Sequence, residues 1–145
     1  MAIQYPRCGL RSRIIGLHRW MGRTYVVAVL IGGLGALRMA LVSSAGWFTH
    51  LGFGLLGLLW LFSTARGYIA IRSHDEASHR RWMIRSYSLT LAAVTLRIYI
   101  PLGIAAGVPF DNAYQVISWL SWVPNLILAE WLVQRTRPTV ATVTA

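Results

Sequence analysis

Four long apolar runs constrain this chain more than any single motif does. Residues 24–42, 47–71, 83–104 and 114–132 each approach the roughly 20 residues that a helix needs to cross a hydrocarbon core of about 30 Å. Lipid cannot hydrogen-bond an exposed backbone, so such runs must satisfy their N–H and C=O groups internally, and they lack the alternation of barrel strands. The predicted fold class is an all-α integral membrane protein, with four transmembrane helices arranged as two like-oriented helical hairpins in a bundle. Residues 43–46 join the first pair, and Gly107, Pro109, Asp111 and Asn112 mark the turn in the last. Composition agrees: 56% hydrophobic and 12% charged residues in a chain of 145 leave too little polar surface for a soluble globule.

The formal charge of +10 comes from 14 arginines and no lysine. Five of them precede the first run (Arg7, Arg11, Arg13, Arg19, Arg23), four flank the second linker (Arg72, Arg80, Arg81, Arg85) and two follow the fourth run (Arg135, Arg137). The first and third linkers carry none. By the positive-inside bias both termini are expected on the cytoplasmic side. Arginines placed beside membrane spans are topology signals, which argues against nucleic acid as a partner. Residues 1–23 read as a basic cytoplasmic or interfacial arm, with Ile14, Ile15 and Leu17 in the headgroup plane and its arginines on anionic lipid. Residues 24–134 form the four-helix transmembrane domain, and 135–145 a disordered cytoplasmic tail. A single cysteine, Cys8, allows no intrachain disulfide and no thiol pair.

The strings Arg19-Trp20-Met21-Gly22-Arg23-Thr24-Tyr25 and Arg81-Trp82-Met83-Ile84-Arg85-Ser86-Tyr87 share the pattern RWMxR[ST]Y, and both open a span from the same side. One reading is a duplication that relates two hairpins by a two-fold along the membrane normal. The other is that any inward helix start favours Arg, Trp and Tyr at the interface.

Polar residues within the runs are the candidate functional groups, because an arginine at mid-depth costs about 2.5–3.5 kcal/mol on insertion scales. Arg38, Arg66, Arg85, Arg97, Asn125 and Glu130 make up this set, and Glu130 has Arg66 or Arg85 as its candidate partner. A salt-bridged or snorkelling set that fixes helix packing accounts for them without any further function. His50, Gly54, Gly57, Leu61, Thr64 and Tyr68 form a small-residue stripe suited to close helix packing or to a flat macrocycle. Ser118, Ser121 and Asn125 form a second, which Pro124 is expected to bend. His18, His79 and His50 are the candidate axial ligands of a b-type haem. His18 and His79 fall near one face, whereas His50 lies near the other without a partner. Apart from such a haem iron, no metal-ligand spacing and no catalytic constellation occurs.

The HRWMGRTY string at His18, the HRRWMIRSY string at His79, then Leu89-Thr90, the stretch from Ala92 to Arg97, and Trp119 to Asn125 followed by Ala129-Glu130-Trp131 resemble a bacterial membrane family catalogued as domain of unknown function 2306. The resemblance runs from about Leu10 to Trp131. It implies a multi-pass protein of the bacterial inner membrane without an established activity. His18, His50, His79, Arg85, Arg97, Asn125 and Glu130 fall in the family's motifs. It also implies a further apolar segment ahead of the HRxxGR motif, which only 17 residues precede here, so a helix of the family pattern is expected to be missing.

Two function classes are left. The first is a non-enzymatic accessory or structural subunit that packs against other membrane proteins, or against its own copies, among membrane lipids. The second is a small electron-transfer module with b-type haem or quinone, or a transporter for an ion or small molecule, between the hairpins near Arg38, Arg97 and His50.

Overall fold

A computed structural model describes residues 8–42 and 46–136, which are helix and turn with no strand among them. The helices are α1 (Cys8–Val42), α2 (Trp47–Arg72), α3 (Glu76–Ala105), α4 (Phe110–Leu120) and α5 (Val123–Arg135). Four of the resulting segments, Ile15–Val42, Trp47–Arg72, Glu76–Ala105 and Phe110–Arg135, are long and apolar enough to cross a membrane. The chain is therefore an all-α protein with four membrane-spanning helices, the last one interrupted.

The helices overrun the apolar stretches at the arginine-rich end. Helix α1 starts within the basic arm, and its 35 residues extend to about 52 Å, well beyond the hydrocarbon core. Helix α3 starts ahead of residue 83 because Asp75 caps it, its carboxylate accepting from the Ser78 N–H at 2.9 Å. Of the expected disordered tail, Arg135 and Thr136 close α5, and residues 137–145 lie outside the described residues, as do 1–7 and 43–45. Two turns end helices through left-handed residues. His74 (φ 60°) follows α2, with Asp75 N–H on the Ala70 carbonyl at 2.9 Å, and Gly107 (φ 74°) follows α3, with Val108 N–H on the Gly103 carbonyl at 3.2 Å.

Neighbouring helices alternate in direction. Along α1 and α2, the Gly33 carbonyl approaches Gly57, and a Cβ built on Gly57 would stand 3.2 Å from that oxygen and 3.1 Å from Leu37. Gly33 itself admits the Leu61 side chain, with 2.7 Å to an added Cβ, and Gly32 admits Trp60. Lipid tails are as apolar as leucine, so close backbone approach of this kind supplies the attraction between helices. Helix α2 then packs antiparallel on α3, where Gly67 admits Met83. At backbone level α1 touches α2 alone, while α3 contacts α2, α4 and α5. The two hairpins are thus not packed as equals. The repeat copies nevertheless run side by side in one direction, with the Tyr25 and Tyr87 rings 4.7 Å apart.

The fourth span breaks at Ser121–Trp122. Pro124 has no N–H to offer the Leu120 carbonyl, and Trp122 bonds three residues back, its N–H on the Trp119 carbonyl at 3.3 Å. Asn125 holds the break, its Nδ2 donating to the Ser121 carbonyl at 2.9 Å and to Thr95 Oγ1 of α3 at 3.1 Å. Before the break α4 lies against α2 as well as α3, with Gly52 facing Ser118 and the Trp119 indole donating to the Phe48 carbonyl at 3.1 Å. After it α5 follows α3 and leaves α2. The space that opens between α2 and α5 is the groove described below.

The close α1–α2 seam predicts that Gly57→Ala lowers stability by about 1–3 kcal/mol through overpacking. Gly35→Ala, where nothing lies within 4 Å, should leave it unchanged; unfolding midpoints in mixed detergent compare the two. A pH effect is expected at the α3 cap. Hydrogen bonds from the Ser78 backbone and side chain hold the Asp75 carboxyl below its ordinary 3.8. The cap's stabilisation is therefore full above pH 3.8 and is lost as pH falls through the depressed folded value. The difference in melting temperature between the native chain and Asp75→Ala should stay constant above pH 3.8 and close below it.

Candidate functional site

The bundle carries two polar groupings. The first joins α3 to α5 at the arginine-rich half. Arg85 Nε donates to Glu130 Oε2 at 2.8 Å and Nη2 to Oε1 at 3.0 Å, a bidentate fork on the one carboxylate within the apolar runs 24–42, 47–71, 83–104 and 114–132. Trp82, one turn earlier on α3, places its indole under the Arg85 guanidinium at 4.8 Å, and Arg66 of α2 lies over the same ring at 5.4 Å. Phe62 meets Trp82 edge-on at 5.6 Å. Arg85 is thus the partner of Glu130, while Arg66 is attached through the tryptophan.

The second grouping is a hydroxyl clamp between α1, α2 and α3. Tyr25 Oη lies 2.7 Å from Ser86 Oγ and 2.9 Å from Thr90 Oγ1. Thr64 Oγ1 lies 2.6 Å from Ser86 Oγ, and the Trp60 indole donates to Thr90 Oγ1 at 3.1 Å. The Thr64 and Thr90 hydroxyls donate in turn to the carbonyls of Trp60 and Ser86. Among the described residues every partner is a hydroxyl, an indole N–H or a carbonyl, none of them a base that could activate a nucleophile. What it does is satisfy polar groups across three helices in a medium without water.

Between α2 and α5, with α3 as its floor, lies an open groove of about 450 Å³. Leu59 and Phe62 form one wall, Leu126 and Ile127 the other, with Trp82, Arg85 and Glu130 toward the arginine-rich end and Trp122 at the deep end. Trp122 is 5% exposed, and its Nε1, like Ser121 Oγ beside it, has no hydrogen-bond partner among the described residues.

The remaining sequence candidates are dispersed. His18 is exposed on α1. His79 lies on α3 with Nδ1 2.8 Å from the Gly67 carbonyl. His50 meets the Ala40 carbonyl through Nδ1 at the opposite end of α2, so it stands some 17 residues, about 25 Å, from the level of Gly67. None of the three lines the groove. Arg38 is exposed near the end of α1. Arg97 is also exposed, and its Nη1 donates at 3.0 Å to the Ala93 carbonyl one turn back. The stripe from His50 through Gly54 and Gly57 to Leu61 does face a helix, namely α1, whereas Thr64 faces α3.

Sequence reasoning missed Trp82 as the platform for two guanidinium groups, and it missed the clamp. The repeat carried a signal for both, since it places Trp82 three residues before Arg85 and aligns Tyr25 with Tyr87. Trp122 gave no signal, because its burial depends on the break.

Together these features define an all-α membrane protein with two polar groupings between its helices. A family model described as Predicted membrane protein (DUF2306) matches residues 7–133, and the chain belongs to that family. No curated protein and no solved structure matches it.

The bidentate pair predicts a coupling of about 1.5–3 kcal/mol between its charged hydrogen-bonding groups. In a double-mutant cycle on detergent unfolding, Arg85→Met and Glu130→Gln should each destabilise the bundle, and the double variant should cost clearly less than their sum. Strict additivity would mean that the pair contributes nothing.

Proposed function

We propose that the chain is a non-catalytic subunit of the bacterial inner membrane that packs against a different integral membrane protein through the α3 face bearing Arg97. The observation that carries this reading is the direction of that side chain. Arg97 lies eight residues before Ala105, the end of α3, which is about 12 Å of rise. Its guanidinium folds back toward Ala93, away from the nearer headgroups and toward mid-helix. Snorkelling would send it the other way. A guanidinium exposed at that depth is costly unless something polar covers it.

Pro101 adds to the polar load, since it has no N–H for the Arg97 carbonyl. The covering group is therefore a partner helix that presents a carboxylate at that level. A second copy of this chain is poorly suited, because Glu130, the one acid of its apolar runs, is already forked by Arg85. Both termini lie on the cytoplasmic side in this reading. It is supported by the way α1, α2, α3 and α5 bring Arg19, Arg23, Arg72, Arg80, Arg81 and Arg135 to one end of the bundle.

The test is purification of the tagged chain from its own membranes in mild detergent. One partner at fixed stoichiometry should stay with the native chain and with Arg97→Lys, and should be lost from Arg97→Leu while the latter remains folded. A native chain that purifies alone, or a partner equally retained by Arg97→Leu, overturns the reading.

A further inference from the structure

We infer that the groove between α2 and α5 is a site for an anionic phospholipid, with an acyl chain lying between the helices and its phosphate at Arg66. This site is separate from the Arg97 face. The groove opens sideways between Phe62 and Ile127, which are 55% and 66% exposed, so its contents come from the bilayer. At about 450 Å³ it falls within the range of sites that hold small molecules, roughly 300–1,000 Å³. Leu59, Phe62, Leu126 and Ile127 offer apolar walls for an acyl chain, and the groove ends against Trp122.

Charge selects the headgroup. At the arginine-rich end Arg85 lines the groove and Arg66 stands one turn beyond Phe62 on α2, both guanidinium groups over the Trp82 indole, and Arg85 is paired with the Glu130 carboxylate. Among the described residues, two cations against one anion leave a net charge of +1 around Trp82. The fork on Glu130 occupies Arg85, so Arg66, exposed and held in place by Trp82, is the group that meets the phosphate. The break at Ser121–Trp122 makes the site, because a continuous fourth span would keep α5 beside α2 and close the groove.

The experiment is native mass spectrometry of the full chain, released from detergent with equal amounts of phosphatidylglycerol and phosphatidylcholine of identical chains. The native protein should retain phosphatidylglycerol about fivefold over phosphatidylcholine, the share of one arginine near an anionic headgroup. Arg66→Gln should lower that ratio to about one, and Arg66→Lys should keep it. Arg80→Gln, an exposed charge at the same end but away from the groove, should keep it as well. Ile127→Trp, which fills the channel, should reduce retention of both lipids. Equal retention by the native chain overturns the site, as does a preference that survives both Arg66→Gln and Ile127→Trp. Loss of preference in Arg80→Gln to the same degree as in Arg66→Gln also overturns it, because a diffuse basic surface would then be what the lipid reads.

Discussion

Arg85 and Glu130 face each other across α3 and α5 in a medium where neither charge can be handed to water. Each therefore holds the other in place: a slide of α5 by one turn would separate the fork by about 5.4 Å and leave two charges in lipid. Thr95 and Asn125 add a second tie between the same helices, nearer the break. With two polar ties at separate levels, the register of α5 on α3 is fixed even though the apolar contact along it is limited. The dispersion contacts of a thin bundle are weak by comparison, and the polar ties decide where they fall.

That register has a cost on the other side of α5. Helix α4 is committed to α2 through Gly52, Ser118 and Trp119, while α5 is committed to α3. A straight helix cannot meet both demands, and the chain relieves the conflict at Ser121–Trp122, where Pro124 has already removed one backbone donor. Interrupted helices in membrane proteins are tolerated where the freed groups are buried in protein. Here Asn125 takes the Ser121 carbonyl, while Ser121 Oγ and Trp122 Nε1, buried at the break, have no hydrogen-bond partner among the described residues.

Much of this was legible in the sequence. Lipid enforces helices, so apolar length alone gave four spans, and the small-residue stripe on α2 pointed to a close helix, which proved to be α1. The site was legible only in its ingredients. One intramembrane acid with two candidate arginines could be read from residues 66, 85 and 130, but the choice of Arg85 depends on the register of α5, which no linear pattern encodes. The clamp was hidden because Tyr25, Thr64, Ser86 and Thr90 are common interface and helix residues whose meaning arises only when three helices meet. Trp122 was hidden for the same reason, since the neighbours that bury it come from different helices.

The repeated heptapeptide shows how similar sequences part ways in their surroundings. In the second copy Trp82 carries two guanidinium groups, Met83 fills the space over Gly67, and Arg85 is forked onto Glu130. In the first, Trp20, Met21 and Arg23 are all exposed, and only Tyr25 turns inward. The matching Tyr87 is half exposed, so the copies have exchanged roles residue by residue. A scaffold that uses one copy as its keel and displays the other has left itself a second set of the same chemical groups on its outer hull, free to vary without loosening the bundle.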